Sequence, residues 1–72
     1  MTLDKVAVGG AVKIARLNGA GPVKRRIMDM GLTKGTEVKV CKIAPLGDPI
    51  ELTVRGYELS IRKDEAAAIE VK

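Results

Sequence analysis

The sequence predicts a small, mostly β barrel of about five short strands, with one short α-helix between the first two strands. Three observations carry this. Apolar and polar residues alternate through Ile50–Val54 and again through Tyr57–Arg62, with Arg55-Gly56 between them, the pattern of a hairpin. Val23, Ile27 and Met30 instead fall at i, i+4 and i+7, one stripe of a helix, and Gly31 follows directly as a left-handed terminator. The third is size: 72 residues with one cysteine have no disulfide staple. In so small a chain apolar burial and conformational entropy nearly cancel, so closing the sheet edges into a barrel brings the largest gain. Residues 1–72 are expected to make a single domain.

Taken in order, Thr2–Gly10 places Leu3, Val6 and Val8 toward a core, with spacing that supports one turn rather than a helix or strand, and Gly9-Gly10 turns the chain. Ala11–Leu17 reads as the first strand, Val12 and Ile14 facing in and Lys13 and Ala15 facing out; Arg16 and Leu17 break the phase, which predicts a bulge or an end. Asn18–Gly21 is a flexible loop, and Pro22 falls where a helix tolerates it, in the first turn. The helix that follows runs about two turns, too short to persist undocked. Leu32 beyond Gly31 is placed to fold back on Ile27 in a Schellman ending.

Thr33-Lys34-Gly35 turns the chain into a strand over Thr36–Ile43, with Val38 and Val40 on one face and Glu37 and Lys39 on the other. Cys41 and Ile43 are out of phase with the valines, so a bulge is expected near Cys41-Lys42. Cys41 itself reads as a small packing residue on a strand. After the hairpin, Lys63–Ala66 is one helical turn with an acidic start, and Ala68–Val71 is a short last strand able to pair with an edge near the chain start.

Chemistry is the thinnest part of the sequence. There is no histidine, no serine or cysteine nucleophile beside a base, and no phosphate loop, because Gly19-Ala20-Gly21-Pro22 is not followed by Gly-Lys-Ser/Thr. No catalytic residue, metal ligand, cofactor or small-molecule substrate is therefore assigned. Thirteen basic residues against nine acidic ones give a net charge of +4, which favours an acidic partner. Tyr57 is the only aromatic residue, and that disfavours base stacking and aromatic-lined peptide grooves. The chain shows no signal-peptide core and no membrane-length apolar run, and with one unpaired cysteine it reads as cytosolic.

Met30-Gly31-Leu32-Thr33-Lys34-Gly35, then Ala44-Pro45-Leu46-Gly47-Asp48-Pro49-Ile50, then Val54-Arg55-Gly56-Tyr57 through Ile61-Arg62-Lys63-Asp64-Glu65-Ala66 resemble the FeoA family, small bacterial cytoplasmic proteins of ferrous iron uptake. The resemblance runs from about Leu3 to Val71 without gaps. It implies an SH3-like barrel, kinship with the C-terminal domain of iron-dependent repressors, and a partner, the FeoB permease with its cytosolic GTP-binding domain. It implies an accessory protein acting by contact, not an enzyme.

Two surfaces are the candidates for that contact. Pro45-Leu46-Gly47-Asp48-Pro49 is a loop stiffened by two prolines with an apolar residue at its tip, and rigid presentation lowers the ordering cost of binding. Whether Leu46 points out as an anchor or folds back to cap the barrel is undecided by the sequence; Asp48 is read as a turn former. Lys24, Arg25 and Arg26 crowd the N-terminal half of the helix, the wrong end for cations by about 0.3–1 kcal/mol. A local rule broken without structural gain points to function, so these three, with Met28 beside them, are assigned to an acidic partner surface or to anionic inner-leaflet lipid. The alternative functions are a nucleic-acid-binding barrel, from the basic charge, and an iron sensor built on carboxylates alone.

Overall fold

The computed structural model describes residues 1–72. A 3₁₀ turn at Leu3–Lys5 opens the chain, followed by strand β1 (Ala11–Leu17) and helix α1 (Gly21–Asp29). Then come β2 (Glu37–Ile43), β3 (Ile50–Val54), β4 (Tyr57–Ile61), the short helix α2 (Lys63–Ala67) and β5 (Ile69–Val71). All pairings are antiparallel and the strand order is β4-β3-β2-β1-β5. This is the mostly β, SH3-like arrangement expected, with the one longer helix between β1 and β2.

Period two explains the core. Val38 and Val40 of β2, Ile50, Leu52 and Val54 of β3, Ile61 of β4 and Ile69 and Val71 of β5 all point inward and are buried, with Ile14 from β1. Both predicted bulges are present. Register shifts between Ile14 and Arg16, and again between Val40 and Lys42, so each strand bends where its alternation fails. Arg55 and Gly56 take φ of 50° and 84°, the two positive values that a two-residue hairpin turn matched to strand twist requires. Arginine at the first of these costs about 1 kcal/mol relative to a glycine or asparagine, and it is the one non-glycine residue in the chain with positive φ.

No ladder joins β4 to β5, so the barrel is not closed by strands. The helices span the gap. The loop leading into α1 is tied to the β5 side, where Asn18 N–H donates to the Ala68 carbonyl at 2.7 Å, and Arg26 pairs with Glu65 of α2. The other end is tied to the start of β4, where the Tyr57 hydroxyl donates to the Met30 carbonyl at 3.0 Å. Between these ties Ile27 is wholly buried.

The helix ends as the sequence predicts. Leu32 N–H donates to the Ile27 carbonyl at 3.2 Å and Gly31 N–H to the Met28 carbonyl at 2.9 Å, the paired bonds of a Schellman motif, and Leu32 is buried. Glycine is required at 31 on two counts: its φ is +87°, and a Cβ there would lie 2.7 Å from the Tyr57 hydroxyl.

One inward assignment is corrected. Val8 is 57% exposed: the chain reverses there, with Gly10 N–H donating to the Ala7 carbonyl and Gly9 at φ +90°, so Val8 rides the outside of a turn while Leu3 and Val6 pack. Tyr57 is 45% exposed although it shares a strand face with buried Ile61. It stands next to the hairpin turn at the barrel rim, where its hydroxyl finds a carbonyl and its ring lies against water. Cys41, half-buried at the β2 bulge, packs its Sγ against the Thr53 hydroxyl.

Candidate functional site: a braced loop and a cationic helix

The loop between β2 and β3 folds on itself before it meets anything else. Gly47 N–H donates to the Ala44 carbonyl at 2.7 Å and Ala44 N–H to the Pro49 carbonyl at 3.2 Å, Gly47 lies at φ +85°, and the Asp48–Pro49 peptide is cis. Pro45, Asp48 and Pro49 are exposed. Leu46 is 94% exposed, so of the two orientations the sequence left open the structure has the outward one. Asp48 does more than form a turn. Its Oδ1 accepts from the Lys63 N–H at 3.1 Å, satisfying the first amide of α2 and fixing the loop to that helix.

Helix α1 starts without a side-chain cap and without an acidic residue in its first turn. Lys24, Arg25 and Arg26 are all exposed, but they are not equivalent. The Arg26 Nε lies 2.8 Å from Glu65 Oε2, whose side chain is only 10% exposed, while the other Glu65 oxygen accepts from the Arg62 N–H at 2.9 Å. Glu65 thus forms half of a capping box for α2 and receives a guanidinium at the same time. Arg26 is a tie between helices, and Lys24 and Arg25 are left with no ion pair.

Met28 is 46% exposed. It stands one turn beyond Lys24 on the same helix face, and the two line a groove of about 240 Å³ with Arg16, Leu17, Thr33 and Lys34. Arg16 is itself held by Glu70 at 3.2 Å and by the Asn18 side-chain oxygen at 3.0 Å, which leaves Lys24 and Lys34 as the groove's unpaired charges. Leu17, Thr33 and Lys34 were not singled out from the sequence. The broken phase at Arg16-Leu17 was the one available signal: Leu17 packs against the core and also lines this groove.

The first turn of α2 braces both surfaces: Lys63 holds the loop through Asp48, and Glu65 holds α1 through Arg26. No three or more Cys, Asp and Glu side chains converge on one point.

The family model for the FeoA domain matches residues 1–72. The chain belongs to the FeoA family. FeoA is an accessory family linked to ferrous iron transport and is not a known family of enzymes. A curated relative from Porphyromonas gingivalis, an Fe(2+) transport protein A/Fe(2+) transporter FeoB fusion protein, is 36% identical over all of this chain, which spans only 8% of that relative's length. The solution structure of a FeoA-like protein from Clostridium acetobutylicum is 44% identical, with a TM-score of 0.93 over 100% of this chain and 84% of that one. The crystal structure of Stenotrophomonas maltophilia FeoA complexed with zinc, described as a prokaryotic SH3 domain protein, is 25% identical, with a TM-score of 0.86 over 100% of this chain and 89% of that one. In this FeoA chain no helix is long and apolar enough to cross a membrane.

Proposed function

We propose that this FeoA domain is a non-enzymatic, cytoplasmic accessory module that docks on the cytosolic part of a FeoB-type ferrous iron permease and shifts its conformational balance. The observation that carries the reading is the relative in which FeoA and FeoB sequences form one polypeptide. Fusion keeps two modules at high effective concentration, so an interface of modest affinity is enough to be occupied. The surface supported here is of that kind. It has one aliphatic anchor, Leu46, and two unpaired cations, Lys24 and Arg25, with no aromatic cluster to supply a strong hot spot.

Rigid bracing supports the same reading. The loop is held by Asp48 and the helix by Arg26, so neither must be ordered on binding. An accessory domain of this type acts by preferring one permease state: a tenfold preference moves the equilibrium by about 1.4 kcal/mol. In this reading iron is the permease's cargo.

Calorimetric titration of the domain with the cytosolic GTP-binding domain of a FeoB permease tests the proposal. Binding is expected to weaken as salt rises, and Lys24→Glu with Arg25→Glu to weaken it about tenfold by setting like charges against an acidic face. No binding by the wild type, or equal binding by the charge-reversed variant, would refute the cationic surface.

A further inference from the structure

A second cationic feature adjoins the groove beside α1, with Lys34 at the edge they share. Where β2 begins and the β3–β4 hairpin turns, Lys34, Gly35, Thr36, Glu37, Lys39, Thr53, Arg55 and Gly56 line an open groove of about 610 Å³. Three of these are cations and one is a carboxylate. Neither Lys34, Lys39 nor Arg55 has an ion-pair partner, because the molecule's two ion pairs are Arg16–Glu70 and Arg26–Glu65. The ladder neighbours of Lys39 are Ala11 and Thr53, neither of them acidic.

Arg55 gives the groove its direction. It occupies the first central position of a turn that favours asparagine, aspartate or glycine, at φ 50°. A strained residue retained where a relaxed one would serve the turn better points to a function for its side chain. That side chain reaches across to β2, where Nη2 donates to the Thr36 hydroxyl at 3.3 Å. Thr36 is buried and its oxygen also meets the Thr33 hydroxyl at 3.1 Å, so the guanidinium is placed but not neutralised, and most of its donors remain free.

We infer that this groove binds a phosphate group, with Arg55 as the forked ligand and Lys34 and Lys39 as point charges on either side. A planar guanidinium matches two phosphate oxygens, and ammonium groups add charge without fixed geometry. The volume lies within the range of small-ligand sites, but none of the eight lining residues is hydrophobic. A base or an acyl chain has nothing to pack on, so recognition stops at the phosphate. Three cations against the one carboxylate of Glu37 leave the groove net positive, which draws a multiply charged anion more strongly than a singly charged one. A diphosphate in solution and the phosphates of a lipid surface share this chemistry.

The test is amide chemical-shift titration with inorganic pyrophosphate, with GDP and with phosphatidylglycerol vesicles, on the wild type and on Arg55→Asn and Lys39→Gln. Arg55→Asn suits the turn, so its melting temperature is expected to equal or exceed that of the wild type. Shifts are expected at Gly35, Thr36, Lys39, Thr53, Arg55 and Gly56, with affinity about tenfold weaker in Arg55→Asn and several-fold weaker in Lys39→Gln. Pyrophosphate and GDP binding alike supports a free phosphate as the ligand, and a response to vesicles alone supports a lipid phosphate. No response to any probe, shifts spread equally over Lys24 and Lys63, or unchanged affinity in Arg55→Asn would overturn the inference. So would GDP binding more than tenfold tighter than pyrophosphate.

Discussion

Ile27→Ala is expected to lower the unfolding free energy by about 2–5 kcal/mol, the cost of emptying a fully buried aliphatic site. A domain of this length has of the order of 5–10 kcal/mol to lose from. Ile27 is completely buried and is the only buried residue of α1, so its side chain is what seats the helix over the gap between β4 and β5. Without it, α1 keeps the partly buried Met30 at its C-cap and three polar ties: Arg26 to Glu65, Tyr57 to Met30, and the Asn18 amide to Ala68. Chemical denaturation measures the loss, and hydrogen exchange locates it. Amides of α1 are expected to lose protection before those of β2 and β3, and uniform loss across the domain would show that α1 and the sheet open together.

Leu46→Asp is expected to have the opposite profile, a large effect on binding and almost none on folding. The side chain is 94% exposed and makes no core contact, so stability should change by no more than about 0.5 kcal/mol. The loop's own bonds, from Gly47 to Ala44 and from Asp48 to Lys63, involve no atom of the Leu46 side chain and are retained. If Leu46 is the anchor, burying a carboxylate in its place costs at least about 2 kcal/mol of binding, roughly thirtyfold in affinity. Titration against the permease's cytosolic domain and a thermal melt on the same sample separate the two effects. Equal affinity would remove Leu46 from the interface.

How much of this was legible in the sequence depends on how local each feature is. The strands, both bulges, the hairpin turn and the Schellman ending are set by residues within a few positions of one another, and each was readable from alternation or its failure. Val8 was misplaced because its spacing continues the Leu3–Val6 pattern; Gly9-Gly10 announces the turn, but how that turn docks follows from the Gly9 amide donating to the distant Val40 carbonyl. The direction of Leu46 was undetermined for the same reason. Two prolines stiffen the loop, but its aim comes from Asp48 docking on Lys63, a contact between remote segments.

Arg26 shows the limit most clearly. Three successive cations look alike in sequence, and only the fold brings one of them to Glu65. Glu65 itself was legible as the acidic start of a helical turn but not as the receiver of a guanidinium. The basic groove at the hairpin had one local clue that was passed over: arginine rather than asparagine before Gly56. Its other cations come from the α1–β2 turn and from β2, so their convergence is a property of the sheet register.

The central claim is that the braced loop and the cationic helix form a partner surface organised by the first turn of α2. Chemical-shift mapping of the isotope-labelled domain with the unlabelled cytosolic domain of a FeoB permease tests it most directly. The account predicts perturbations at Leu46, Gly47, Lys24, Arg25 and Met28, with Lys39 and Thr53 on the far sheet face unmoved. Perturbations confined to that sheet face, or none at saturating partner, would contradict it.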